Sequence, residues 1–254
     1  MIPKIIHYCW FGRNPLPPLT KKCIKSWKRY LPDYEIKEWN EDNFDVSLIP
    51  YTHEAYNAKK YAFVSDYARF WILFHYGGLY FDTDVEVIKP MDDIIQQGPF
   101  MGCEKEYIEC SEQTDASQCP SLDVAPGLGL GAEPQMDVYR QLLEVYNNTH
   151  FINEDNTLNL KTVVAYTTEV LRKNGLRYIK GIQKCGDITI YPKEYFCPKD
   201  YITFETDITP NTYTIHHYDG SWLSRWDKFK KSIRKIFGKK LINFVYFVRK
   251  IGKQ

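Results

Sequence analysis

Along residues 1–90 the spacing of apolar positions changes several times, and each change marks an element. Residues 2–10, I-P-K-I-I-H-Y-C-W, are a largely apolar run halted by F-G-R-N-P-L-P-P, which predicts a first strand. Ile24, Trp27 and Leu31 recur at helical spacing and predict a helix over about 19–30. Y-E-I-K-E-W-N (34–40) alternates with the period of a second strand. From about Asn57 to Tyr76, Ala62, Phe63, Phe70, Leu73 and Phe74 form the broad apolar stripe of a helix, which Gly77-Gly78 ends. Leu79–Phe81 opens a third strand that V-E-V-I-K-P (85–90) continues until Pro90 closes it. Strands and helices in alternation predict an α/β domain with a mostly parallel central sheet.

The pattern weakens beyond residue 100. Residues 103–123 are rich in Ser, Gln and Asp and read as a long surface loop. P-G-L-G-L-G-A (126–132) lacks a preceding apolar strand and a Lys-Ser/Thr pair, so it reads as a flexible turn, not a phosphate loop. Helices are predicted over Met136–Tyr146 and about 160–175, and late strands over 188–192 and 213–218. No internal repeat is visible.

Composition alters this picture at three points. Aromatic residues make up 16% of the 254 positions, enough to supply stacking surfaces as well as core. No window holds the roughly 18–20 apolar residues of a membrane span, and the first strand starts without the regions of a signal peptide, which points to a cytoplasmic chain. The seven cysteines are odd in number and include no C-x-x-C pair, which argues against a zinc ribbon or a disulfide framework. Cys103, Cys110 and Cys119 read as reduced thiols in the polar loop.

Charge is divided unevenly. Of 33 basic and 32 acidic residues, 11 and one lie from Arg225 onward, which leaves 22 and 31 in residues 1–224. The chain thus divides into an acidic body (1–224) and a basic tail (225–254). In the tail, Trp226, Phe229, Ile233, Ile236 and Phe237 share a helical face among Lys and Arg. That is the profile of an amphipathic helix drawn to anionic lipid, and its apolar face disfavours nucleic acid as the partner.

The chemistry concentrates in G-G-L-Y-F-D-T-D-V-E (77–86). Alternate residues of a strand share a face, so a continuous strand projects Asp82 and Asp84 together, as two carboxylates gripping a divalent cation would be. Hard oxygen ligands completed by phosphate favour Mn²⁺ or Mg²⁺. A D-x-D after an apolar strand also opens the haloacid-dehalogenase-type phosphatases, but those carry it on the first strand and want Thr or Val two residues beyond the second Asp, where this chain has Glu86. In Y-A-F-V-S-D-Y-A-R-F, Asp66 and Arg69 share one face of a poorly solvated helix, where idle charge is expensive. T-I-H-H-Y-D-G-S-W (214–222) puts His216 and His217 at a strand end, where adjacent residues face opposite ways and only one can join a given metal. Ser221 and Trp222 add a hydroxyl and an indole N–H able to bond a phosphate. His7, Tyr8 and Trp10 end the first strand, where open α/β sheets bind ligands.

Taken together, P-K-I-I-H-Y-C-W-F-G, A-x-x-S-D-Y-A-R-x-x-x-L-x-x-Y-G-G-L-Y-x-D-x-D and I-H-H-x-x-G-S-W resemble glycosyltransferase family 32 over residues 1–90 and 211–222. This family includes bacterial capsular-polysaccharide sugar transferases and yeast mannosyltransferases and is related to the clostridial glucosylating toxins. The resemblance implies a GT-A fold and a retaining, Mn²⁺- or Mg²⁺-dependent transfer of a hexose from a nucleotide sugar, with UDP-hexose the expected donor. A glycan or lipid-linked oligosaccharide would accept it. Within this resemblance His7 joins the donor site and Trp10 stacks on the base. Asp66 and Arg69 hold the sugar and ribose beside Ser65 and Tyr80. Asp82 is shared between ribose and metal, and Asp84 binds the metal. His217 is the expected third ligand, with His216 as the alternative, and Ser221 and Trp222 hold the β-phosphate. The rival from another class is a non-catalytic nucleotide-sugar or glycan-binding module of the same fold.

Overall fold

The computed structural model describes residues 1–105, 107, 122–201, 203 and 205–219. The first half holds β1 (Ile5–Cys9), α1 (Pro18–Tyr30), β2 (Glu35–Trp39), α2 (Pro50–Asn57), α3 (Tyr61–Tyr76), β3 (Gly78–Tyr80), β4 (Val85–Val87) and α4 (Asp92–Ile95). The second half holds β5 (Phe100–Cys103), β6 (Val124–Ala125), β7 (Leu130–Ala132), α5 (Asp137–Asn147), α6 (Val163–Lys173), β8 (Gln183–Cys185), β9 (Ile188–Tyr191), α7 (Lys193–Phe196) and β10 (Thr214–His216). Cys110, Cys119, most of the polar loop and the whole tail 225–254 lie outside the described residues.

Eight strands form one sheet in the order β2-β1-β3-β7-β5-β9-β8, with β6 paired to β5. β1, β2, β3, β5 and β9 run one way, and β6, β7 and β8 run against them. This is the mixed α/β architecture with a mostly parallel sheet that the alternating pattern predicts. β10 and β4 form a separate antiparallel pair. One face of the sheet packs on α2, α3, α5 and α6, the other on α1, α7 and the β4–β10 pair. Among the described residues no helix is long and apolar enough to cross a membrane, and Cys9, Cys23, Cys103, Cys185 and Cys197 are buried free thiols.

Several elements differ from expectation for local reasons. The helix predicted from Asn57 starts at Tyr61, because Lys59 takes a left-handed φ of 57° and separates it from α2. α2 itself, with Pro50 at its first turn, has too weak an apolar stripe to announce itself. In P-G-L-G-L-G-A the last three residues are β7, buried between β3 and β5. Gly131 sits in that strand because a β-carbon there would lie 2.5 Å from the Phe100 ring. Gly77 ends α3 as predicted, with φ 63° and its N–H bonded to the Leu73 carbonyl at 2.9 Å.

Candidate active site

From β1 the chain crosses to β2 on one side, then returns through α2 and α3 to β3 on the other. Connections that part in this way leave a crevice beyond the carboxyl ends of β1 and β3. Trp10 follows β1 and Phe81-Asp82 follows β3, so both chain segments deliver their next residues there.

The two aspartates do not sit on one strand. β3 ends at Tyr80, and residues 82–85 form a turn in which the Val85 N–H bonds the Asp82 carbonyl at 3.0 Å. The shared strand face is therefore corrected to the two arms of a turn, which aim the carboxylates at different partners. The turn rests on α1: the Trp27 ring is fully buried and stacks on Phe81 at 5.4 Å, and its Nε1–H donates to the Val85 carbonyl at 2.8 Å. Replacing so buried an indole with alanine costs about 3–5 kcal/mol.

On the first arm, Asp82 meets α3. Arg69 lies 3.3 Å from Asp82 Oδ1 through Nη1 and 2.7 Å from Asp66 Oδ1 through Nη2. Its Nε–H donates to the Ser65 carbonyl at 3.2 Å, and its guanidinium lies 5.0 Å from the centre of the Tyr80 ring. The Tyr80 hydroxyl donates to Asp82 at 3.2 Å. Asp66 and Arg69 are buried, 8% and 4% exposed. One guanidinium here serves two carboxylates. Burial, with the Asp82 charge nearby, raises Asp66 to about 7 against the pull of Arg69. The same two acids and Tyr80 outweigh burial at Arg69 and keep it charged.

Gly127, which sequence reasoning passed over as part of a turn, closes this arm. Its carbonyl accepts the Asp82 N–H at 3.0 Å, and a β-carbon there would fall 1.9 Å from Asp82 Oδ2. Only a residue without a side chain lets the loop come this close. The signal available in the sequence was the glycine-rich run itself, read for backbone approach and not for phosphate.

On the second arm, Asp84 meets the far end of the chain. His216 Nε2 lies 3.2 Å from Asp84 Oδ1, and the Asp219 N–H donates to Asp84 Oδ2 at 2.7 Å. Burial alone would raise the Asp84 carboxyl, but His216 and the two backbone N–H bonds hold it well below the usual range. His216 is driven well up, because Asp84 outweighs the burial that would lower it. His217 takes the opposite face of β10, as alternation requires. Its Nε2 bonds Glu86 at 2.8 Å, and Glu86 also pairs with Lys22 of α1 at 2.7 Å. The expectation that His217 joins the aspartates is corrected: the side chain brought to Asp84 is that of His216.

His7 is also corrected. It is 1% exposed, and Trp39 Nε1–H donates to its Nδ1 at 3.1 Å. That fixes the proton on Nε2, which donates to the Gly77 carbonyl at 3.0 Å. Burial lowers it to about 4, so it is a neutral strut beneath the α3–β3 junction and not a donor ligand. Trp10 is half-buried at the end of β1 with its Nε1–H on the Asn14 carbonyl at 2.6 Å. The half-buried Ser65 bonds the Tyr61 carbonyl within α3. Ser221 and Trp222 lie outside the described residues.

Asp84 and His216 meet where the turn faces β10, while Asp82 is turned toward Arg69. Hard oxygens with one borderline nitrogen suit Mn²⁺, and Mg²⁺ less well. The buried Nδ1 of His216 has no hydrogen-bond partner among the described residues. By donor type Asp82, Asp84 and His216 suit a divalent metal, but among the described residues no three such side chains lie close enough together to hold one.

Residues 17–101 match the family model of the glycosyltransferase sugar-binding region containing a DXD motif. This segment, about a third of the chain, is similar to that region. The match spans α1 through Met101 and includes Asp66, Arg69, Asp82 and Asp84, but neither Gly127 nor His216. Over 111 residues the chain is 30% identical to inositol phosphoceramide mannosyltransferase 1 of Schizosaccharomyces pombe, covering 39% of this chain and 33% of that protein. It is 33% identical over 110 residues to an uncharacterized glycosyltransferase of Acanthamoeba polyphaga mimivirus, covering 39% of this chain and 42% of that protein. The chain thus matches well under half the length of these relatives. Among solved structures it is similar to PaToxG glycosyltransferase (TM-score 0.47, 18% identity, 68% of this chain and 69% of that one). A glycosyltransferase involved in glycosylating the major capsid of PBCV-1 gives TM-score 0.48 at 11% identity over 90% and 99% of the two chains.

Proposed function

We propose that this chain is a metal-dependent retaining glycosyltransferase that moves a hexose from a nucleotide sugar to a glycan or lipid-linked oligosaccharide. One observation carries the reading. At the crevice beyond β1 and β3, inside a DXD sugar-binding region, Asp82 and Asp84 are each matched to a separate cationic side chain. Two neighbouring carboxylates can then both stay ionised. A bound Mn²⁺ or Mg²⁺ would be held by Asp82 and Asp84, and by His216 once the ring gives up its proton, and would supply charge neutralisation at the leaving diphosphate.

The remaining roles belong to the chain. Arg69 holds Asp82 in place and presents charge-assisted donors to the donor sugar's hydroxyls, with Asp66 accepting from them. Trp10, at the end of β1, offers its ring to the base. Ser221 and Trp222 are assigned to the β-phosphate by motif alone, and the basic tail 225–254 to an anionic membrane face in the cytoplasm, where a lipid-linked acceptor would be presented. UDP-hexose is the first donor to test. The names of the fungal relatives favour GDP-mannose as the second.

Hydrolysis of UDP-glucose, UDP-galactose and GDP-mannose, each with and without Mn²⁺, is the direct test. At least one should turn over only with metal, and Asp84→Asn should lower that turnover by about 10²–10³-fold. If none binds or turns over, or Asp84→Asn leaves turnover intact, the reading is wrong.

A further inference from the structure

Between α5 and α6 the chain runs from Asn148 to Thr162 without a regular element. Connections of this length inside a packed domain are uncommon and are often functional. This one is held in shape. Both carboxylate oxygens of Glu54 on α2 are used on it, Oε1 by His150 Nδ1 at 2.7 Å and Oε2 by the N–H groups of Phe151 and Ile152 at 2.8 and 2.9 Å. The Asn159 amide donates to the His150 carbonyl at 3.2 Å and the Tyr166 hydroxyl at 3.1 Å. A short ladder joins Ile152 to Leu158.

What this order builds is a surface cavity of about 460 Å³, within the range of small-ligand sites. Its lining is polar and mostly uncharged. Asn148 spends one amide N–H on the Glu144 carbonyl and Asn153 one on Thr157, which leaves each amide its oxygen as an acceptor and a second N–H as a donor. Glu154 is exposed and has no partner among the described residues. No Lys or Arg lines the cavity; the His150 ring does, with its Nδ1 on Glu54, and Ile152 gives it one apolar wall. An exposed carboxylate with no Lys or Arg beside it disfavours phosphate and nucleotide, and a single carboxylate is too few for a tight cation site. Amides that both donate and accept match the hydroxyls of a neutral ring that has an apolar edge.

The cavity is mechanically tied to the donor site. Phe151 packs on Phe63 with ring centroids 4.9 Å apart, and Phe63 lies one turn before Asp66 on α3. It also opens at the same edge of the fold as the crevice, because α5 runs back toward that edge from β7 and ends at Asn147.

We propose that the Asn148–Asn159 cavity is a subsite for a neutral saccharide, the acceptor glycan of the transfer; its assignment to an acceptor rests on the glycosyltransferase reading above. The test is saturation-transfer NMR on the full chain with methyl α-glucopyranoside, methyl α-galactopyranoside, methyl α-mannopyranoside and maltose, with mannose 6-phosphate as the charged control. At least one neutral sugar should bind, and the phosphate should not displace it. Glu154→Ala and Asn148→Ala should each weaken binding tenfold or more while leaving the melting temperature and Mn²⁺-dependent UDP binding unchanged. Absence of binding by every neutral sugar, binding untouched by both variants, or equal binding of the phosphate overturns the subsite. Loss of nucleotide-sugar turnover in the wild-type chain, with sugar binding intact, removes the glycosyltransferase reading instead and leaves a saccharide site.

Discussion

The two arms of the Asp82–Asp84 turn are chemically alike and are held in opposite ways. Asp82 is met by Arg69, a permanent cation delivered by the neighbouring helix α3. Asp84 is met by His216, a titratable ring delivered by β10 from the other end of the domain. One arm is therefore fixed in charge by local structure, while the other depends on a distant strand. Two acids one residue apart need not share an environment, even when a strand-like sequence suggests it.

The largest effect should come from removing the cation shared by the first arm. Arg69→Met leaves Asp66 buried beside Asp82 with no counter-charge, and should cost about 3–5 kcal/mol of stability in urea unfolding. A loss under 1 kcal/mol would show that Asp66 is protonated in the folded protein and that the pair is not ionic. On the second arm, Asp84→Asn should keep the fold and lower Mn²⁺-dependent turnover by about 10²–10³-fold. Equal turnover by variant and wild type would place the metal elsewhere.

A third histidine serves as a reference for the second arm. His7 is buried neutral where His216 is buried charged. Its folded value of about 4 lies below the ordinary 6.5, so the unfolded chain binds more protons and stability rises with pH between about 4 and 6.5. The rise should reach about 3 kcal/mol. His7→Gln should flatten that part of the stability–pH curve, and an unchanged slope in the variant would contradict a neutral His7.

Smaller effects sharpen the contrast further. Gly127→Ala drives a methyl group into Asp82 and should cost about 1–3 kcal/mol of stability, with a loss of turnover. The least of all should be His217→Ala, within about 1 kcal/mol in stability and near wild type in turnover. His216→Ala should lower turnover about 10–100-fold. Reversal of that order would return the metal-facing role to His217.

How legible this was depends on how local each feature is. β1, α1, β2 and the end of α3 were readable because their apolar spacing is dictated by neighbours a turn or a pleat away. β7 was not, since strand patterns are recognised by side chains and its centre is Gly131, kept bare by Phe100. The likeness of Asp82 and Asp84 hid the turn, because Val85 and Val87 continue the strand pattern on its far side. Alternation correctly separated the faces of His216 and His217, but which face meets Asp84 depends on the pairing of β10 with β4, and no local signal carries that register. His7 looked like a ligand because its place at a strand end was visible, while Trp39 and Gly77, which enclose it, come from other elements.

The pairing of β10 with β4 also bears on how the site comes into being. The bond from Asp219 to Asp84 joins residues 135 apart in sequence. Contacts of that separation form late, after most loop-closure entropy has been spent. A nascent chain can complete β1, α1 and the Arg69 arm long before Asp84 meets its histidine. If the proposed function holds, metal-dependent nucleotide binding would report the last stage of folding, and a chain cut before Thr214 should fold its Asp82 arm yet bind no donor.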